Sequence, residues 1–370
     1  MASKLEGEQP ELYISEEWME AADTIAYDSE TSPPPIVFIC GAKNSGKTTF
    51  SRYLLNVLLQ RYRKVAYLDT DVGQSEFTTP GFLSLTTVDK DELPEDMTTL
   101  CMKTPERSFF FGDVSSKRDP AAYLNYIHTL YDYYKKEYCS PSKTELPLVI
   151  NTPGWVKGVG YDNLVDMLKY IAPTHVVKIN ISAENKNLPH GAFWLDSDER
   201  EMVNLIEIKP SAQDNLDKSG KKDATQLRDL RIKAYFRQCF PKNHNITLFK
   251  ELAYALTSHP PYEVPISSIK IKHLFCKVPS NEIYYSLNAS IVGLAVSSEV
   301  SGNLPLCVGL GIVRGIDTFK GVLYIITPVP PSTLEKVDLF LQGFVQIPTD
   351  LLQYQGCVPP YMSTNVFSAS

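Results

Sequence analysis

Residues 41–48 read Gly-Ala-Lys-Asn-Ser-Gly-Lys-Thr and satisfy every fixed position of the phosphate-binding pattern G-x-x-x-x-G-K-[ST]. No other feature restricts the fold as much. Such a loop works only between the end of a strand and the start of a helix. There, backbone amides converge on an anion and the helix terminus adds partial positive charge. The flanks agree: the apolar run 36–40 precedes the loop, and 49–60, rich in Leu and long polar side chains, follows it. Gly41 and Gly46 free the backbone to approach a phosphate, Lys47 would neutralise the β and γ phosphates, and Thr48 would hold Mg²⁺. Gly41, Ala42, Lys43, Asn44, Ser45, Gly46, Lys47, Thr48 and Thr49 are therefore the candidate nucleotide-binding residues. The motif specifies a nucleoside triphosphate and leaves its fate open.

Strand-like segments at 36–40, 65–68, 108–111, 148–151 and 175–181 alternate with helix-like segments at 48–62, 119–136 and 161–171. Alternation of this kind predicts an α/β fold with a doubly wound, mostly parallel sheet. A polar loop over 210–224 and a helix near 225–238 follow. From 262 onward, short Val, Ile and Tyr runs separated by Pro and Gly predict a smaller β-rich C-terminal domain. The expected division is an acidic lead-in over 1–34, mobile or partly ordered, a phosphate-loop domain over 35–260 with a lid around 210–240, and the β-rich domain over 261–370.

The chain has 370 residues and is 43% hydrophobic, enough for a sizeable core in two or three domains. It contains no run approaching the roughly 18 apolar residues of a membrane span. Seven Cys without a CxxC pair fit reduced thiols, and six His show no ligand cluster. The net charge of −7 is local in origin. Nine acidic residues and one Lys fall within 1–34, which leaves 34 acidic and 35 basic residues elsewhere. An acidic lead-in argues against broad nonspecific nucleic-acid binding but not against a local basic groove.

Three further segments carry candidate chemistry. The run Val65-Ala-Tyr-Leu-Asp69-Thr-Asp71-Val-Gly73-Gln74 is an apolar strand ending in acid. Carboxylates at that edge lie beside the phosphate loop in such sheets, so Asp69 or Asp71 could join the Mg²⁺ shell or accept a proton from an attacking hydroxyl. The run Asn151-Thr152-Pro153-Gly154-Trp155 resembles the DxxG switch of GTPases with Asn151 in place of Asp. Trp155 would then stand near the phosphates and stack on a base; a core Trp is the alternative. In the run 227–237, Leu227, Leu230 and Ala234 share one helical face, and Arg228 and Arg231 share another. An Arg brought over the triphosphate would stabilise transition-state charge; a solvated basic face is the alternative. The GTPase reading also needs an [NT]KxD element after Thr152. Ser116-Lys117-Arg118-Asp119 comes before it and Asn185-Lys186 lacks the Asp, so that reading is set aside.

In combination and order, these pieces resemble the polynucleotide 5′-hydroxyl-kinase family, closest to its nucleolar, pre-ribosomal RNA processing branch. The resemblance runs from about residue 35 to the C-terminus. It rests on the phosphate loop, Asp71-Val72-Gly73-Gln74, Thr152 to Trp155, the stretch 73–81 and the stretch 309–317. It implies a P-loop NTPase-like fold, ATP and Mg²⁺ as cofactors, and an RNA 5′-hydroxyl end as acceptor, with DNA as a second acceptor class. By the same resemblance, Lys47, Asp71, Arg228, Arg231 and, ranked lower, Asp69 are catalytic. Gln74, Thr152, Pro153, Gly154 and Trp155 bind the acceptor, and Thr48, Asp69 and Asp71 serve the metal. It further implies a nuclear, nucleolar location and an RNA-processing endonuclease as partner. Family members usually carry an additional β-rich N-terminal domain; about 34 residues precede the kinase-like region here. Two other classes stay open: a catalytically weak ATP-binding scaffold, and a nucleoside or small-molecule kinase.

Overall fold

The computed structural model describes residues 13–27, 33–92, 100–139, 145–195, 203–211, 223–297 without 242, 245 and 247, and 304–352. A seven-stranded sheet is built from β1 (Ile36–Gly41), β2 (Lys64–Asp69), β3 (Phe82–Asp89), β4 (Arg107–Phe110), β5 (Leu148–Asn151), β6 (His175–Ile179) and β7 (Asn204–Ile208), in the order β4-β3-β2-β5-β1-β6-β7. The five strands from β2 to β7 in that order run parallel, and β3 and β4 are antiparallel additions at one edge. Period-2 alternation places the core on both faces. Phe38 and Cys40 point to one face, under α3 (Pro120–Tyr138) and α4 (Val159–Ile171). Val37 and Ile39 point to the other, under α1 (Glu16–Tyr27) and α2 (Lys47–Leu58).

β3, β7 and α1 escaped the sequence reading. In β3, Phe82 to Thr86 are all buried, although Leu83-Ser84-Leu85-Thr86 alternates apolar and polar like a half-exposed strand. The helix α1 lies within the acidic lead-in, and its five inward residues, including Trp18, are buried against α2 and the sheet. Its acidic residues Glu16 and Glu17 occupy the first turn, where they favour the helix dipole.

A second, six-stranded sheet has the order β8-β12-β11-β10-β13-β9. Its strands are β8 (Tyr262–Pro265), β9 (Lys270–His273), β10 (Ile291–Val296), β11 (Leu306–Asp317), β12 (Val322–Ile326) and β13 (Leu339–Gln342). One of its faces packs on α5 (Ala224–Arg237), α6 (Phe249–Ser258) and two side chains of the first sheet's edge, Phe82 and Phe110. The two sheets thus share a core, and Ser108 Oγ donates across it to the Cys307 carbonyl at 2.6 Å. In α5 the buried residues are Ile232, Lys233 and Phe236; Leu227, Leu230 and Ala234, which share a helical face, are not among them. Contact with the second sheet, not helical periodicity alone, selects the inward face. Residues 212–222 of the expected lid region lie outside the described residues. No described helix is long and apolar enough to cross a membrane.

Candidate active site

The phosphate loop joins β1 to α2. Gly41 (φ 146°), Asn44 (φ 62°) and Gly46 (φ 94°) take backbone conformations that turn successive amides inward. Ser45 Oγ is buried with no partner among the described residues, as expected of a group reserved for a ligand. Lys47 Nζ donates to the carbonyls of Gly41 at 3.0 Å and Ala42 at 2.7 Å. Burial lowers its ammonium from the usual 10.5 to about 8, with nearby Asp71 acting in the opposite sense.

This shift has a measurable consequence. Triphosphate oxygens favour the charged lysine, so binding raises its pKa and takes up a proton where the free group is neutral. Nucleotide affinity is therefore full below pH 8 and falls as pH rises through it, by about tenfold per pH unit at most. Calorimetric titrations between pH 7 and 9 will show this slope. Lys47→Arg, whose guanidinium stays charged, will flatten it. An equal slope in both proteins would refute the assignment.

The carboxylates at the end of β2 divide into two roles. Asp69 is buried and uses both oxygens internally. Oδ1 accepts from the Asp71 amide at 3.2 Å and from Asn151 Nδ2 at 3.2 Å, and Oδ2 accepts from the Glu76 amide at 2.6 Å. Burial pushes its pKa up to about 7, with Asp71 adding to the rise and these donors opposing it. Asp71 receives the Gly73 and Gln74 amides on Oδ1, at 2.9 and 3.0 Å, leaving Oδ2 without a protein partner among the described residues. Asp69 shapes the turn; Asp71 presents a carboxylate oxygen outward. The Thr48 hydroxyl and the Asp71 carboxylate are of the hard oxygen type that could hold Mg²⁺ sharing its shell with phosphates, whereas Asp69 would reach such an ion less directly, its oxygens being engaged in the turn.

Residues 151–155 lie directly against the phosphate loop. A Cβ added to Gly154 would stand 2.5 Å from Lys43 Cα and 2.6 Å from Lys43 N, so only glycine permits this approach. Thr152 Oγ1 donates to the Ile39 carbonyl at 2.8 Å and fastens the segment to β1. Trp155 is half-buried, with its ring against Gly160 on α4 and Lys117 Nζ 5.4 Å from its centroid. The Lys of the misordered Ser-Lys-x-Asp element thus reaches the site, while its Asp119 caps α3 through the Ala122 amide at 3.0 Å.

Two observations were not legible in advance. Glu76 is a buried hub, paired with Arg52 at 3.2 Å and Arg231 at 3.1 Å. Burial raises its pKa against the pull of both guanidiniums. Its only sequence signal is its position two residues after Gln74. Of the two lid arginines, Arg231 reaches this hub beside the Asp69 turn, whereas Arg228 donates to Thr225 Oγ1 one turn back on its own helix at 3.1 Å.

Known proteins match both parts of this architecture. The family model described as mRNA cleavage and polyadenylation factor CLP1 P-loop matches residues 41–238, and that of the NOL9-like C-terminal domain matches 257–348. A polynucleotide 5′-hydroxyl-kinase NOL9 from Arabidopsis thaliana is 61% identical over 369 residues, covering 99% of this chain and 100% of that protein. The chain belongs to the polynucleotide 5′-hydroxyl-kinase family. Its NOL9 relative from Danio rerio is 32% identical over 391 residues, covering 96% of this chain. The chain spans about half of that longer relative, 53% of its length. The fold is also that of Clp1p in a solved Clp1p–Pcf11p complex, with a TM-score of 0.62 over 89% of this chain and 78% of that one. At 16% identity this last likeness concerns the fold alone. The mixed α/β architecture with a parallel core is thus a P-loop kinase fold, and the CLP1 P-loop family model spans both the phosphate loop and α5.

Proposed function

We propose that this chain transfers the γ-phosphoryl group of ATP, with Mg²⁺, to the 5′-hydroxyl end of RNA. The observation that carries the reading is the contact between Gly154 and Lys43, which sets the acceptor segment ending in Trp155 against the donor loop. Little covalent chemistry is asked of the protein; positioning and charge supply most of the rate. In this reading the amides of 41–48 and the Lys47 ammonium hold the phosphates. Mg²⁺, held through Thr48 and the Asp69–Asp71 edge, would neutralise charge on the transferred group. The outward Asp71 oxygen accepts a hydrogen bond from the attacking 5′-hydroxyl and orients it. Arg228 furnishes positive charge from α5, while Arg231, paired with Glu76, braces the adjoining turn. Trp155 stacks on the terminal base, and the Lys117 ammonium above it gives way toward a phosphate.

The NOL9 names of the relatives favour a place in pre-ribosomal RNA processing in the nucleolus, and an endonuclease that leaves 5′-hydroxyl ends is the partner whose product this reaction would consume. Trp155→Ala tests the acceptor assignment. Loss of one base stack will raise the oligonucleotide KM by about tenfold, with the ATP KM within twofold of wild type. Equal weakening of both would make Trp155 a packing residue.

A further inference from the structure

The loop between β4 and α3 lies between the acceptor segment and the second sheet, and beyond Lys117 it carries a surface that the reaction described above does not use. At one end, the Val114 carbonyl closes on Gly73, where an added Cβ would stand 2.9 Å from its oxygen. In the middle, Lys117 lies over Trp155. At the other end, the Arg118 guanidinium lies 4.3 Å from the Phe344 ring centroid and 5.6 Å from that of Phe275. Phe275 and Phe344 are themselves stacked, with centroids 5.6 Å apart and planes 10° from parallel.

This surface is tethered and open. The Phe344 amide donates to the Gly112 carbonyl at 2.6 Å, and Arg118 is held by the buried Asp113 carboxylate. Yet Phe344 is 47% exposed, and Lys117 and Arg118 are exposed as well. A large aromatic fixed by its backbone, half in solvent and faced by a guanidinium, has the chemistry that holds single-stranded nucleic acid. Its flat apolar surface is sequence-tolerant, and the exposed Lys117 ammonium answers a phosphate while Asp113 keeps Arg118 in place beside the rings. The track is continuous with the acceptor site, because one loop touches Gly73, Trp155 and Phe344 in turn.

We propose that Lys117, Arg118, Phe275 and Phe344 form a second stacking platform for the nucleotides that follow the 5′-terminal one. The inference rests on the reading of the acceptor as a polynucleotide end and extends it to a site for several nucleotides. The platform lies at the seam of the two sheets, so it gives the second sheet a direct part in acceptor binding. Single-stranded ends long enough to reach it are preferred over short ones.

The test uses 5′-hydroxyl hexanucleotides carrying one 5-iodouridine at the second, third or fourth position. Each is irradiated with the wild-type protein, and the attached peptide is mapped. At least one inner position will crosslink to a peptide containing Phe344 or Phe275. Phe344→Ala will raise the hexanucleotide KM by about tenfold with kcat within twofold, and Phe344→Trp will restore it. Crosslinks that map elsewhere, or a KM within twofold of wild type, overturn the platform and leave the exposed ring as a contact for a protein partner. If Phe344→Ala fails to fold, the crosslink map and Phe344→Trp decide alone. Mapped crosslinks without phosphoryl transfer by the wild type would reject the kinase reading and keep the platform. Transfer with crosslinks elsewhere would do the reverse.

Discussion

Lys47→Ala will lose phosphoryl transfer to a 5′-hydroxyl oligonucleotide by at least about 10²- to 10³-fold in kcat, the usual cost of removing a preorganised charge from a transition state. The fold will not suffer with it. Lys47 is 6% exposed, and its ammonium is already driven down by burial to about 8. Removing a buried charge relieves its desolvation. The carbonyls of Gly41 and Ala42 lose a donor in exchange, so the melting temperature will stay within a few degrees of wild type. Activity and stability therefore separate in this variant. A parallel fall in both would mean that Lys47 braces the loop, and undiminished transfer would sink the phosphate-loop assignment.

Trp18→Ala will have the larger effect on stability. Trp18 is 1% exposed and lies in the acidic lead-in, away from every motif. Its ring meets Phe50 edge-on at 5.2 Å, and its Cη2 is 3.0 Å from the position a Cβ on Gly46 would take. Its Nε1 donates to the Lys209 carbonyl at 2.7 Å, tying α1 to the end of β7. Deleting a fully buried Trp leaves a cavity and an unmet carbonyl, at a cost of about 3–5 kcal/mol. For a chain of this size that lowers the melting temperature by roughly 5 °C. The ring supports the underside of the phosphate loop, so the ATP KM will rise too. Thermal melts with and without nucleotide check both parts. A loss below about 1 kcal/mol would show that α1 is dispensable.

These two residues show what could be read from the sequence. The loop around Lys47 is a contiguous pattern with a fixed backbone geometry, so eight letters carry its structure. The parallel strands beside it were legible because each is a short apolar run between helical segments. Strand β3 was not, since its Ser84, Thr86 and Thr87 break the contiguous apolar run that marks its neighbours. Trp18 offered no local signal; its role comes from Gly46 and Lys209, 28 and 191 positions away in the chain. The same holds for Glu76, whose partner Arg231 lies 155 positions on. In α5, the sequence supplied both arginines, but the second sheet decided which face turned inward and hence which arginine reached the hub. Lys117 stood in a discarded motif, and only folding brought it over Trp155.

The most direct measurement of the central claim is the position of the transferred phosphate. Purified protein is incubated with γ-labelled ATP, Mg²⁺ and matched 5′-hydroxyl RNA and DNA oligonucleotides, and the products are digested to 5′-mononucleotides. The account predicts label on the 5′ nucleotide of the RNA, dependent on Lys47. Bound ATP with no labelled end, or label on free nucleosides in place of oligonucleotides, would contradict it.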